Sequence, residues 1–386
     1  MDMDSSSPLH LIKRSDATNP SCQLPALLGP PKQISCYSSA ADGSVTQDGR
    51  SLRYFMYPSL GTDMSQGFPQ FLLRHLGGHV KTPLDSLLRA CLDRPDEISS
   101  ADVVTWRGIL YKMMLGFSVD LNVSYIDGTL YIEDHQEKSR KHTPESYPGY
   151  VTMLVHPFSL SLIYRPHHII SYVFEHICTT PPETRSEGDN SVLNISADEL
   201  WVSIITRTLG DLNLLFGGEV DCIKGSYTGQ PDCFLELKLT KEYDGNTGKL
   251  RNRRKWFMQS HLIGINEIFV GYRDANNILQ RTEMLPVSEC FPKGRDPQQD
   301  IDWGYRMLSA LKQYCQKQTE GVRASARNSR VREGRIWRVL NRGTESGVSI
   351  RELTSVEVAA VNRRHVGQRI GILPAWYLDQ KRNSTT

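Results

Sequence analysis

The chain has 386 residues, 39% of them hydrophobic, enough to bury a substantial core as one large domain or two. A formal charge of only +2 excludes a global polycation, so nucleic-acid binding must come from local basic patches. Eight cysteines are scattered with no CxxC pair and no zinc-like spacing, as expected of reduced core cysteines in an intracellular protein. The opening Met1-Asp2-Met3-Asp4-Ser5-Ser6-Ser7 has no signal-peptide-type hydrophobic region, and no stretch approaches ~18 apolar residues. The expectation is a soluble protein of nucleus or cytoplasm.

In chain order, residues 1–20 read as a disordered Ser/Asp-rich tail, and 22–60 as an extended arm on the domain surface. Within that arm Leu52-Arg53-Tyr54-Phe55 reads as a strand, and a short helix runs from Leu84 to Leu92. Ser99 and Asp102 form a capping-box pattern for a helix through Val104, Trp106, Leu110 and Met114, with Arg107 wedged among large apolar residues. Val119, Leu121, Val123 and Tyr125 alternate up to Asp127-Gly128, the signature of a hairpin with a type I′ turn. Residues 135–149 read as a polar loop and 150–164 as strand-like. A second apolar run, His167 to Phe174, ends on Glu175; that acid is either the strand meeting water or a carboxylate delivered to a site. Residues 178–195 read as a loop, and Ser196-Ala197-Asp198-Glu199 as the cap of a helix through Trp201, Ile204, Ile205, Leu209 and Leu212.

Two acidic strand segments follow, Gly217-Gly218-Glu219-Val220-Asp221 and, fifteen residues on, Phe234-Leu235-Glu236-Leu237-Lys238. Residues i and i+2 of a strand share a face, so Glu219 pairs with Asp221, and Glu236 with Lys238. Leu235, Leu237 and Leu239 then form a core side opposite Phe234, Glu236, Lys238 and Thr240. Taken singly, either pair reads as solvated surface. In this order, within apolar β-rich sequence, they match a D-(D/E)xK nuclease site: clustered carboxylates that hold Mg²⁺ or Mn²⁺, and a lysine that orients the attacking water.

Lys249 to Lys255 carries five positive charges in seven residues and leads into a helix through Trp256, Phe257, Met258, Gln259 and Leu262. Directly after a metal site, Arg251, Arg253, Arg254 and Lys255 read as a guide for a phosphate backbone. Ile268 to Arg273 reads as a strand with a turn at Asp274 to Asn277. Asp302 to Tyr314 reads as an amphipathic core helix. Seven arginines between Arg323 and Arg342 form a second basic stretch, and Leu373 to Leu378 packs last. Strands and helices interleave without βαβ regularity, without internal repeats and without a Gly-rich phosphate loop. The pattern argues against an ATPase or a dehydrogenase and points to α+β architecture, mixed sheets flanked by helices. The expected layout is a single domain over 21–378 with tails at 1–20 and 379–386.

The set Thr105-Trp106-Arg107-Gly108, Tyr172-Val173-Phe174-Glu175, Gly218-Glu219-Val220-Asp221-Cys222, Glu236-Leu237-Lys238, Lys255 to Leu262 with Gly264, and Val270 to Asp274 resembles the DXO/Rai family of mRNA 5′-end decapping exoribonucleases, in order over residues 50–315. The resemblance implies two mixed, twisted β-sheets with surrounding helices and a Mg²⁺/Mn²⁺-dependent site acting on RNA 5′ ends. Incomplete caps, triphosphate ends and NAD caps would be removed, and 5′–3′ degradation would accompany this. It further implies Glu175, Asp221, Glu236 and the Leu237 carbonyl as metal ligands, with Glu219 completing the cluster. Lys238 and Gln259 would position water and the scissile phosphate. Arg107, in its Trp106-Arg107-Gly108 setting, would hold a substrate phosphate, with Arg53 a further nucleotide contact. The family's usual Gly-Tyr-Lys-Phe-Glu run is here Ser171-Tyr172-Val173-Phe174-Glu175, which keeps the acid and loses a lysine bearing on substrate preference. Two other readings stand beside this one. The first is a non-catalytic stabilising partner of a nuclear Rat-type 5′–3′ exoribonuclease, which four mutually repelling carboxylates argue against. The second is a DNA nuclease on the same D-(D/E)xK frame.

Overall fold

The structure, a computed structural model, describes residues 10–12, 25–40, 44–65, 84–135, 166–180, 199–242, 247–323, 334–343, 347–363, 365 and 367–383. The strands that build the site are, in chain order, β1 (Lys32–Ser39), β2 (Tyr54–Phe55), β3 (Val103–Trp106), β4 (Leu200–Leu209), β5 (Leu212–Glu219), β6 (Cys222–Ile223), β7 (Phe234–Lys241) and β8 (Glu267–Arg273). The helices are α1 (Arg107–Leu115), α2 (Pro166–Ile177), α3 (Thr247–Ile263) and α4 (Gln298–Arg323). Among the described residues there are a ten-stranded sheet containing β1, β3, β4 and β5 and a six-stranded sheet containing β2, β6, β7 and β8. Both are mixed: β5 pairs parallel with β3 and antiparallel with β4, while β7 pairs parallel with β8 and antiparallel with β6. The expected α+β architecture of two mixed sheets with flanking helices is what the chain adopts.

The large sheet is buried on both faces. On β4, Trp201, Ile205 and Leu209 face one core, shared with Met258 of α3 and Trp303 of α4. Val202 and Ile204 face the other, with Leu87, Tyr131 and Tyr377. A strand buried on both sides reads as a continuous apolar run. This is why the run at 200–209 looks helical in sequence and is a strand instead: Val202, Ile204, Ile205 and its threonines suit a pleated ladder. Two more expectations reverse. Val103–Trp106 is a strand, so the helix begins only at Arg107, because the first half pairs with Leu214 to Gly217 of β5. The run ending on Glu175 is helix α2, whose Val173, Phe174 and Ile177 pack on Leu235, Leu237 and Phe269 of the small sheet.

The supposed surface arm supplies β1, a full member of the large sheet paired along β4. At the N-terminus, His10–Ile12 pairs with Val348 to Ile350, so the expected tail contains a strand. The closing helix Ala375–Asn383 continues beyond residue 378, where the domain was expected to end. The 119–134 hairpin forms as expected, with φ of 49° at Asp127 and 86° at Gly128. Seven cysteines lie among the described residues, all free and six of them buried. The strand-like reading of 150–164 falls outside the described residues.

Candidate active site

Glu219 and Asp221 do not share one strand face. Glu219 is the last residue of β5 in the large sheet, and Cys222 opens β6 in the small one. Val220 and Asp221 therefore make the crossing. Val220 is buried and donates its N–H to the Trp201 carbonyl at 3.1 Å. The two acids straddle the junction of the sheets, and β7 meets them from the small sheet, with Cys222 paired to Leu235. On β7 the expected alternation holds: Leu235 and Leu237 enter the core under α2, leaving Glu236 and Lys238 on the opposite face.

The acids and cations interlock. Lys238 Nζ donates to Glu236 Oε1 at 2.5 Å and lies 3.9 Å from Asp221 Oδ2. Arg107 Nη1 donates to Glu236 Oε2 at 3.0 Å, and the Leu237 N–H donates to Asp221 Oδ2 at 2.7 Å. Glu236 is thus held on both oxygens. Burial works against its charge, but Lys238 and Arg107 outweigh burial and bring its pKa down to about 2. The other three acids go the opposite way. Burial, then the charge of Asp221, lifts Glu219 to about 7; burial, then Glu236, lifts Asp221 to about 6. Glu175, on α2, is raised well above the usual range by burial and by Asp221 and Glu219. Burial lowers the affinity of Lys238 and Arg107 for their protons, but the surrounding carboxylates outweigh it, so both stay charged.

Two chambers meet at Glu219. One is lined by Arg53, Glu175, Glu219 and Asp221, together with Tyr172, His176 and Thr179. The other, of about 410 Å³, is lined by Trp106, Arg107, Gly108, Glu219 and Gln259, with Tyr111 and Lys112 one turn along α1. That volume lies in the range of small-molecule sites. Gly217 and Gly218 are needed for this packing. A Cβ on Gly217 would sit 2.5 Å from the Trp106 ring, and one on Gly218 2.7 Å from Ile263 Cδ1. Tyr111, Lys112, Tyr172 and His176 were missed in sequence. Their signal is helical spacing alone: Lys112 is i+4 from Gly108, and Tyr172 is i−3 from Glu175. Val173, where the family pattern has lysine, is fully buried under the small sheet and faces neither chamber, so its identity does not bear on substrate contact.

The basic segment does not act as one face. Arg254 is bound to Asp300 of α4, with its Nε 2.7 Å from Oδ2. Asp300 is only 3% exposed, so this pair holds α3 to α4 and does not reach for RNA. Lys255 turns toward the site, its Nζ 5.8 Å from the Tyr111 ring centroid. The Arg253 carbonyl accepts from Cys290 Sγ, and the Arg251 side chain lies outside the described residues. In the second basic stretch, Arg335 and Arg338 are paired with Glu352 and Asp120. Arg254→Ala should cost about 3 kcal/mol by stranding buried Asp300. Urea unfolding measures this, and an unchanged midpoint with weakened RNA binding would restore the guiding role.

Glu175, Glu219 and Asp221 line one chamber and raise one another's pKa values, an accumulation of carboxylate oxygens of the kind that suits a hard divalent cation. Among the described residues no three His, Cys, Asp or Glu side chains stand in an arrangement that could hold a metal ion by themselves. Lys238 and Arg107 occupy Glu236 instead.

A family model described as RAI1 like PD-(D/E)XK nuclease matches residues 29–378. The chain belongs to this family. Among its relatives, the decapping nuclease RAI1 of Gibberella zeae is 31% identical over 272 residues, covering 64% of this chain and 69% of that one. The decapping and exoribonuclease protein of Rattus norvegicus is 26% identical over 295 residues, covering 70% and 69%. The fold is that of Candida albicans Rai1, whose crystal structure contains pU5 and Mn²⁺. It matches with a TM-score of 0.70 at 19% identity, over 92% of this chain and 96% of that chain.

Proposed function

We propose that this decapping nuclease hydrolyses phosphodiester or pyrophosphate bonds at RNA 5′ ends that are incompletely capped, triphosphorylated or NAD-capped, with 5′–3′ exoribonuclease activity on what remains. RNA is its substrate and a divalent cation its cofactor; Mg²⁺ or Mn²⁺ fills that role. The observation that carries the reading is the contact of Lys238 with Glu236 and with Asp221, which lines one chamber together with Glu175 and Glu219.

Glu175, Glu219, Asp221 and the Leu237 carbonyl would hold the cation, and Glu236, with its two oxygens on Lys238 and Arg107, would complete the cluster beside them. When bound, it supplies charge neutralisation and a lowered pKa for attacking water. Lys238, fixed by Glu236, points its ammonium to where water and phosphate meet and keeps the water's lone pair directed at phosphorus. Gln259 donates its amide N–H to a phosphate oxygen, and Trp106, Arg107 and Gly108 line the path of the substrate phosphates. Arg53 contacts nucleotide from the smaller chamber. The Leu237 N–H bond to Asp221 keeps that carboxylate from rotating out of the site. Hydrolysis in excess EDTA at the rate seen with Mn²⁺ would contradict this reading. Parallel digestion of single-stranded RNA and DNA tests the substrate class, with RNA consumed faster.

The raised carboxyls give a further expectation. Glu219 and Asp221 have folded pKa values above their unfolded ones, so the metal-free folded chain holds extra protons and loses stability as pH rises through about 6 to 7. Divalent cation competes with those protons, so the rise in melting temperature on adding Mn²⁺ should be larger at about pH 8 than at about pH 5. Equal shifts at both pH values would argue against these ligands. Partnership with a nuclear Rat-type 5′–3′ exoribonuclease belongs to the same reading, with the nucleus as the site of action. Co-purification of a large exoribonuclease tests it. Among the described residues no helix is long and apolar enough to cross a membrane.

A further inference from the structure

Trp106 closes β3 and lines the larger chamber, and its buried indole N–H has no partner among the described residues. Glu133 is 3% exposed, and its Oε2 is a buried acceptor likewise without a partner among them. Each stranded group costs free energy, and an ordered water is the usual remedy. The sheet brings the two side by side. β3 lies between β5 and the strand Thr129–Asp134. It pairs with the latter in parallel, Val103 with Leu130 and Val104 with Tyr131, and Thr105 Oγ1 extends the register by donating to the Ile132 carbonyl at 2.8 Å. The next pair in step is Trp106 with Glu133, on the face that carries Val104 and Tyr131. Adjacent strands lie ~4.8 Å apart, so the two side chains stand within reach of one water. Both are turned for it. The benzo edge of Trp106 lies over Gly217 of β5, where a Cβ would come within 2.5 Å of Cζ3 and 2.9 Å of Cε3. The N–H is on the other edge of the ring. Glu133 is gripped from the side away from β3: Asn122 Nδ2 donates to Oε1 at 3.3 Å, and His365 Nε2 lies 3.6 Å from the same oxygen.

We propose that Glu133 is a positioning residue: its Oε2 holds the Trp106 indole N–H through one buried water and so fixes the ring as a wall of the larger chamber. The inference rests on the reaction proposed above only in taking that chamber as a path for substrate. Glu133 itself touches neither substrate nor cation. Its loss frees the ring and weakens substrate binding, while the chemistry at the carboxylates is left alone.

The test uses Glu133→Leu, Glu133→Gln and Trp106→Phe with two readouts. In proton–nitrogen spectra of the six tryptophan indoles, the Trp106 resonance is the one that Trp106→Phe removes. Glu133→Leu should shift that resonance and speed its exchange with solvent, and the other indoles staying in place shows that the fold is kept. In hydrolysis of single-stranded RNA with Mn²⁺, Glu133→Leu should raise KM about tenfold, the worth of a charge-assisted contact, with kcat changed by less than about threefold. Glu133→Gln keeps an oxygen for the indole, and Asn122, whose Oδ1 has no partner, can turn its amide to meet the new NH₂. Both readouts should therefore return most of the way. In the Trp106→Phe protein the N–H is gone, so adding Glu133→Leu should raise KM no further. An unmoved Trp106 resonance, an unchanged KM, or KM losses that multiply in the double variant would overturn the proposal. If the native protein cleaves no RNA yet Glu133→Leu moves the Trp106 resonance, the link stands and the nuclease reading falls.

Discussion

Asp221→Asn should lower the single-turnover rate of RNA hydrolysis by at least about 10³-fold while leaving the metal-free protein as stable as before or about 1 kcal/mol more so. The two effects have one cause. Asp221 is buried beside Glu236, and its pKa of about 6 records the cost of charging it there, burial first and the neighbouring carboxylate second. Asparagine keeps the volume and an oxygen to accept the Leu237 N–H, but it removes a charge that balances the cation. Glu236→Gln should cost as much in rate and have the opposite sign in stability. Its pKa of about 2 marks an acid stabilised by Lys238 and Arg107, and neutralising it strands two buried cations, on the order of 3 kcal/mol. Thermal melting beside single-turnover hydrolysis reads both. Equal melting shifts for the two variants would contradict the charge arrangement described here.

The second large effect belongs to Lys238. Lys238→Met should reduce kcat by about 10² to 10³-fold with KM for RNA changed by less than about threefold, because the ammonium acts at the water and the scissile phosphate and not along the strand path. Met keeps the stem length and most of the apolar contact. Stability should fall, since Glu236 and Asp221 lose their nearest counter-charge. A variant with raised KM and native kcat would assign Lys238 to RNA binding and leave the water without its orienting group.

Much of the site was legible because it depends on local alternation. Leu235 and Leu237 against Glu236 and Lys238 is a period-2 pattern that survives any tertiary arrangement, and the Asp127-Gly128 turn needs only its own residues. Arg107 was legible as a charge among large apolar neighbours, and it is 8% exposed. The failures occur where pairing partners distant in sequence decide. Trp201, Ile204, Ile205 and Leu209 fit helical spacing, but β1 and β5 clamp them as a central strand with both faces buried. The run before Glu175 alternates too little to separate strand from helix, and the choice follows from the apolar face of the small sheet that α2 covers. The acid pair Glu219 and Asp221 reads as one strand, yet it is the hinge between two sheets, a fact that no local pattern contains. The basic run likewise looked uniform until Asp300, 46 residues from Arg254, claimed one arginine of it.

The measurement nearest to the central claim is product analysis from a single turnover of 5′-end-labelled RNA carrying a triphosphate. It is run with Mn²⁺ for the native chain and for Asp221→Asn and Lys238→Met variants shown by melting to be folded. Release of the labelled 5′ phosphoryl group by the native chain, with both variants slowed by about 10²-fold or more, is the predicted result. Near-native release by either folded variant would contradict the assignment of chemistry to the junction of the two sheets.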